Sequence, residues 1–293
     1  MSVRQKQIPK SAWPLFSSLA LLLFAFGLVS TIQGDDYGKY FLILGSALLI
    51  YVAYGWFKQA IRDGQNMNPK QFELSDRVYR WSMGWFIFSE FCLFATFFVV
   101  LFYVRMVTLP WLSGSFEASA SRMTHTLLWP SFEGGWPLLS APDPKQFTAP
   151  QLAMVAWGIP MINTFILLLS GMTITIAHGC LIKRKITQAV VYQSVTALLG
   201  ILFLVLQAWE YLEAYQHLGL KFESAIYGNI FYLLTGFHGC HVLLGTVMLL
   251  VIAIRIARGH FSGHNHFAFE AVSWYWHFVD VIWLFLFMFV YLY

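Results

Sequence analysis

Of 293 residues, 58% are hydrophobic and only 11% charged, against roughly 25% charged in a soluble domain, which excludes water as the main solvent of the chain. The formal charge of +4 comes from basic residues set between apolar stretches, never in a continuous stripe, and this argues against nucleic acid as a partner. Cys92, Cys180 and Cys240 lie in or at the end of apolar segments without a CxxC pair, so neither a disulfide framework nor a thiolate metal site is indicated.

A spanning helix needs about 20 mainly apolar residues, because the hydrocarbon core is about 30 Å thick and each residue rises about 1.5 Å. Stretches that meet this need run from Trp13 to Ile32, Tyr40 to Phe57, Trp81 to Val104, Leu152 to Ala177, Val190 to Tyr211, Tyr227 to Ile254 and Ala271 to Leu292. The alternating pattern of a barrel is absent, so helices are predicted. The first stretch follows a basic N-terminus, as in a signal peptide, but no small-residue cleavage site precedes Asp35-Asp36. It is therefore expected to be a retained helix. Between the third and fourth stretches, residues 105–150 carry Pro110, Pro130, Pro137, Pro142, Pro144 and Pro150 and no useful apolar period, which predicts an irregular outer cap. Trp13, Trp56, Trp81, Trp274 and Trp276 sit near predicted helix ends and read as interfacial anchors.

Orientation follows from the basic residues. With the N-terminus inside, the inner segments hold Arg4, Lys6, Lys10, Lys58, Arg62, Lys70, Arg77, Arg80, Lys183, Arg184, Lys185, Arg255 and Arg258. The outer segments hold only Lys39, Arg105, Arg122, Lys145 and Lys221. This asymmetry predicts a cytoplasmic N-terminus and a C-terminus outside.

Ionisable groups at membrane depth cost roughly 2.5–3.5 kcal/mol on insertion scales and are expected to face protein or water. The third stretch has Glu90 in FIFSEFCLF, the fifth Glu210 and Glu213 in LQAWEYLEA, the sixth His238 and His241 in TGFHGCHVLLG, and the seventh His277 and Asp280 in WYWHFVDVIWLF. Counting from helix ends puts Glu90 and Asp280 about 14 Å deep and His238 about 16 Å deep. Glu90 there is either a proton-linked acid or a neutral one that fixes packing by bonding a polar neighbour on the sixth or seventh stretch. His238 and His241 share a helix face, as do His277 and Asp280. A carboxylate beside a histidine is a pattern of metal sites, yet no H-x-x-H-H or E-x-x-H motif exists. Structural hydrogen bonding is therefore favoured for His238, His241, His277, Asp280 and Glu210, and no metal is assigned. At the inner surface Arg62 and Asp63 follow the second stretch, and Arg255, Arg258 and His260 follow the sixth, with His264 and His266 beyond. Such basic residues serve topology or bind anionic head groups, at roughly 1 kcal/mol each.

The segments FIFSEFCLF, PMINTFILLLSGMTITIAH, LQAWEYLEA, YLLTGFHGCHVLLGTVML and HFAFEAVSWYWHFVDVIWLFLF resemble, in order and spacing, subunit III of the haem-copper cytochrome c oxidases. The likeness runs from about Trp81 to the end, and more weakly through the first two stretches. It implies an all-α polytopic fold with seven transmembrane helices in two bundles. Residues 1–66 would be a two-helix arm and 67–293 a five-helix bundle with the 105–150 loop, the two forming a V whose cleft holds phospholipid. By the same resemblance Glu90 matches the family's carbodiimide-reactive acid, and Arg62, Asp63, Arg255, Arg258 and His260 match residues near lipid head groups. No catalytic residue is implied in the chain.

The function implied is that of a non-redox accessory subunit of a proton-pumping oxidase. Such a subunit packs against catalytic subunit I in a complex with subunit II, supports proton uptake, and protects the enzyme from inactivation during turnover. Haem and copper belong to the partner subunits, and cytochrome c is the substrate of the complex. The implied location is a bacterial cytoplasmic membrane, with the mitochondrial inner membrane as the alternative. Five-helix relatives accompany quinol oxidases and nitric oxide reductases, so the seven stretches favour the cytochrome c branch. The chain departs from the pattern in two places. Many members have paired histidines where this chain has His178-Gly179, so no role is assigned to His178. Histidines that mitochondrial relatives carry after the second helix are missing between Gly64 and Pro69. The residues themselves leave two other classes open. One is a stand-alone membrane metalloenzyme using His238, His241 and His277; the other is a transporter coupled to protons at Glu90, for which an internal repeat is lacking.

Overall fold

The computed structural model describes residues 11–65, 69–144, 148–222, 224–261 and 266–292. Among them the secondary structure is helical, with no strand. In chain order the elements are α1 (Trp13–Ile32), α2 (Gly38–Gln65), α3 (Pro69–Tyr103), a π-helical turn (Val104–Thr108), α4 (Leu109–Leu112) and α5 (Ser119–Leu128). There follow α6 (Ile159–Ile182), α7 (Ile186–His217), α8 (Ala225–Ala257), α9 (Phe267–Leu286) and a π-helical end (Phe287–Leu292). Seven helices are long and apolar enough to cross a membrane, in the expected order. The expected boundary between residues 66 and 67 lies outside the described residues, as do Arg4, Lys6, Lys10, Lys145 and His264.

Three expectations need correction. The fourth spanning helix begins at Ile159, not at Leu152, and extends to Ile182. Pro160 occupies its first turn, where the missing N–H leaves no bond unmade and the fixed φ suits a helix start. The segment 105–150 is partly helical, because α5 is fastened by polar contacts that an apolar period does not reveal. Ser121 Oγ donates to the Trp111 carbonyl at 2.8 Å, and His125 Nδ1 lies 3.0 Å from the Leu112 carbonyl. Trp276 is no interfacial anchor: it is fully buried.

The chain divides into two compact units, Met1–Ser75 and Asp76–Tyr293. In the first, α1 and α2 meet backbone to backbone. A Cβ added to Gly27 would stand 2.2 Å from Leu42 N, and one added to Gly45 would stand 2.5 Å from Phe24 N. In lipid no hydrophobic force drives helices together, so contact of this closeness through small residues is what associates them. Near the opposite end of the pair, the Trp13 indole N–H donates to Gln59 Oε1 at 2.6 Å.

The second unit buries polar groups among its apolar core and turns large apolar side chains outward. Asn163, Ser170, Gln193, Thr196 and His238 are buried, while Trp85, Leu198 and Leu244 are exposed. That distribution suits a lipid exterior, which offers polar side chains no partner. The Trp276 indole fills a slot left by Gly200 of α7 and Gly245 of α8, where added Cβ atoms would lie 2.9 Å and 2.8 Å from its ring. Its Nε1–H donates to Ser170 Oγ of α6 at 2.8 Å. Trp283 lies two turns further along α9 and donates likewise to Thr164 Oγ1 of α6 at 2.9 Å. A buried indole needs such an acceptor, so these two bonds fix the rotation of α9 against α6.

Candidate functional site

Glu90 projects from α3 onto His241, which stands midway along the α8 span. Glu90 Oε2 is 2.8 Å from His241 Nε2. The other ring nitrogen, Nδ1, lies 2.7 Å from the Phe237 carbonyl one turn earlier. A carbonyl only accepts, so Nδ1 carries a hydrogen and donates. The Nε2 contact then requires exactly one further proton, either on the carboxyl of a neutral pair or on the imidazole of an ion pair. Aromatic rings wall the pair: Phe94 of α3 meets the imidazole edge-on at 5.0 Å, and Tyr275 of α9 stacks on it at 6.3 Å. The Glu90 side chain retains 21% exposure and that of His241 11%, so the acid is within reach of a small apolar reagent arriving from lipid.

The other intramembrane groups are dispersed. His238 is buried and its Nε2–H donates to the Val279 carbonyl of α9 at 3.2 Å. It shares a helix with His241 but serves a different neighbour. His277 Nε2 is 3.3 Å from Thr175 Oγ1 of α6, and its Nδ1 is 3.6 Å from Asp280 Oδ2. Both line a shallow groove with Gly171 and Met172. Buried Glu210 accepts the Tyr291 hydroxyl at 2.7 Å. The trio that a metalloenzyme reading would use, His238, His241 and His277, is thus bonded to three different helices: α9, α3 and α6.

The residues matched to lipid head groups lie in both units. Arg62 and Asp63 are exposed at the end of α2, in the first unit. In the second, Arg255 is partly buried with its guanidinium over the Phe261 ring at 4.6 Å, Arg258 is exposed and His260 is partly buried. The Arg255 Nε–H is shielded and without a hydrogen-bond partner among the described residues.

One polar cluster escapes sequence reasoning. Arg80 of α3 forms an ion pair with Glu270 in the first turn of α9 and a second one with Asp76 at 2.7 Å. Glu270 also meets His266 at 2.9 Å, and His178 of α6 faces the same group. Arg80 reads as a topology charge in the sequence and Glu270 as nothing in particular. The one visible signal is the spacing of His266 and Glu270, which puts them on one helix face.

A family model for cytochrome c oxidase subunit III matches residues 6–119 and 149–293, leaving out the first five residues and the part of the chain that contains most of α5 and the proline-rich segment after it. Similar relatives include the probable cytochrome c oxidase subunit 3 of Rickettsia felis, 37% identical over 282 residues that cover 94% of this chain and 90% of the relative. Cytochrome c oxidase subunit 3 of Pisaster ochraceus is 34% identical over 278 residues, covering 94% of this chain and 92% of the relative. That of Prototheca wickerhamii is 36% identical over 282 residues, with the same coverage. With seven spanning helices in order and matches that run through both units, the chain belongs to the cytochrome c oxidase subunit III family.

Proposed function

We propose that the chain serves a proton-pumping cytochrome c oxidase as a non-redox accessory subunit that binds phospholipid, stabilises the catalytic subunit and supports proton uptake. Its partners would be subunits I and II, which hold the haem and copper. The observation that carries this reading is the Glu90–His241 pair, a single shared proton held near mid-depth between α3 and α8. A pair of that kind costs too much in lipid to be kept without use in packing or proton handling. His238 and His277 are engaged in bonds between helices, as a scaffold requires. For lipid, the support is the basic end of α8: exposed Arg258 and an Arg255 Nε–H without a hydrogen-bond partner among the described residues suit a phosphate.

The test is purification of the complex through a tag on this chain. Subunits I and II should co-purify with a haem spectrum, and oxidase lacking the chain should lose activity faster during turnover. Absence of the catalytic subunits from the tagged material would reject the reading. For the lipid part, Arg255→Ala with Arg258→Ala should lower the phospholipid retained per complex, read by mass spectrometry.

A further inference from the structure

We propose that His178, His266 and Glu270 form a binding site for a divalent transition-metal ion, Zn²⁺ above all, where α6 ends and α9 begins. The site is separate from the Glu90–His241 pair, and it stands or falls independently of the accessory-subunit reading.

His178 lies in the last turns of α6, His266 is the residue that caps α9, and Glu270 follows one turn later. One ligand atom from each residue lies within 4.8 Å of the others. Tetrahedral Zn²⁺ with bonds of about 2.0–2.1 Å holds its ligands about 3.3 Å apart. Loading the ion would draw the three atoms together by up to about 1.5 Å. Among the described residues this is the one group of three histidine, cysteine or acidic side chains placed to hold an ion.

Two ring nitrogens at the site are unspent. His178 Nε2 and His266 Nδ1 are shielded from solvent and have no hydrogen-bond partner among the described residues, a state that buried polar atoms rarely tolerate. Phe269 stacks on the His178 ring at 5.2 Å and an interplanar angle of 18°, which sets the direction of the imidazole. The His178 and His266 rings are 5.5 Å apart between centroids.

The carboxylate is held as a metal ligand would need to be. Arg80 takes Glu270 Oε2, while Oε1 faces His266 Nε2 at 2.9 Å. Arg80 is itself steadied by Asp76 and by the Phe267 ring, 5.0 Å from the guanidinium carbon. Carboxylates that bind metals are commonly fixed in this way by an outer hydrogen bond. The charges are also favourable: one arginine stands against two carboxylates, so a cation does not enter a positive pocket. Two imidazoles and one carboxylate oxygen suit Zn²⁺ rather than Mg²⁺ or Ca²⁺, which prefer oxygen ligands throughout. The three ligands leave a fourth position for water. Bound there, the ion would staple α6 to α9.

The test uses the full-length chain in detergent and the intact oxidase, both first treated with chelator. Zn²⁺ titration by calorimetry should show one site per chain, with affinity lowered at least tenfold in His178→Ala and in Glu270→Gln. The zinc absorption edge of the loaded wild-type chain should show scattering from two imidazoles. Zn²⁺ should also raise the melting temperature of the wild type and not of His178→Ala. Equal affinity in wild type and variants, or an edge spectrum without imidazole, means an adventitious ion only and overturns the proposal. If a variant fails to assemble, the wild-type edge spectrum still decides.

Discussion

Because the Phe237 carbonyl takes the Nδ1–H of His241, the opposite nitrogen has to share a proton with Glu90. The two substitutions that follow from this act differently. In Glu90→Gln the amide N–H donates to Nε2 from the same place, so the bond survives and carbodiimide labelling of the position disappears. Its stability should stay within about 0.5 kcal/mol of wild type. In His241→Leu the acid loses its partner near mid-depth, and the loss should be about 1–2 kcal/mol. Thermal unfolding in detergent separates the two, and equal losses would show that the bond contributes nothing. The depth of Glu90 was legible from its place in an apolar run. Its partner was not, since 151 residues separate the pair and both histidines of TGFHGCHVLLG look alike in sequence.

At the scale of helices, the ends repeat one device. After α1, Gly34 has φ 88° and its neighbour Asp35 donates to the Ser30 carbonyl at 2.9 Å. After α8, Gly259 has φ 68° and His260 donates to the Arg255 carbonyl at 3.0 Å. Glycine is suited to this left-handed cap. After α6 the same bonds form, Arg184 to Leu181 and Lys185 to Cys180, but Arg184 itself takes φ 57°. A side chain in that region costs roughly 1 kcal/mol, so Arg184→Gly should raise stability by about 0.5–1 kcal/mol while Lys183 and Lys185 preserve the charge of the turn. An unchanged or lower melting temperature would count against this. In the opposite sense, Gly27→Val or Gly45→Val should force α1 from α2, seen as easier proteolysis of the first unit. Gly34 and Gly259 mark helix stops in the sequence itself. Arg184 gives no such sign, because the helix-end bonds to Leu181 and Cys180 place an arginine where the residue type itself does not call for a left-handed cap. The place of Trp276 is hidden from sequence for a related reason: an indole near a helix end resembles an anchor, and the room for it is made by Gly200 and Gly245 on other helices.

At the scale of the whole chain, the number and order of the spans were legible because a 30 Å apolar layer imposes a length on every helix that crosses it. Which end faces the cytoplasm depends on charge that packing does not use. Lys39, in the first turn of α2, and Arg184, between α6 and α7, are both exposed. One spanning helix precedes the first position and four precede the second, so they lie on opposite sides of the membrane. Lys39 stands alone in its turn, whereas Arg184 is flanked by Lys183 and Lys185, and the positive-inside rule therefore predicts a cytoplasmic Arg184. In whole cells an impermeant maleimide should label Lys39→Cys directly and Arg184→Cys only after permeabilisation; Cys92, Cys180 and Cys240 lie within spanning helices and set the background. The reverse pattern would invert the chain. His178 and Glu270 sit at the same membrane face as Arg184, since α6 ends and α9 begins there, so the labelling also fixes the compartment from which an ion would reach them.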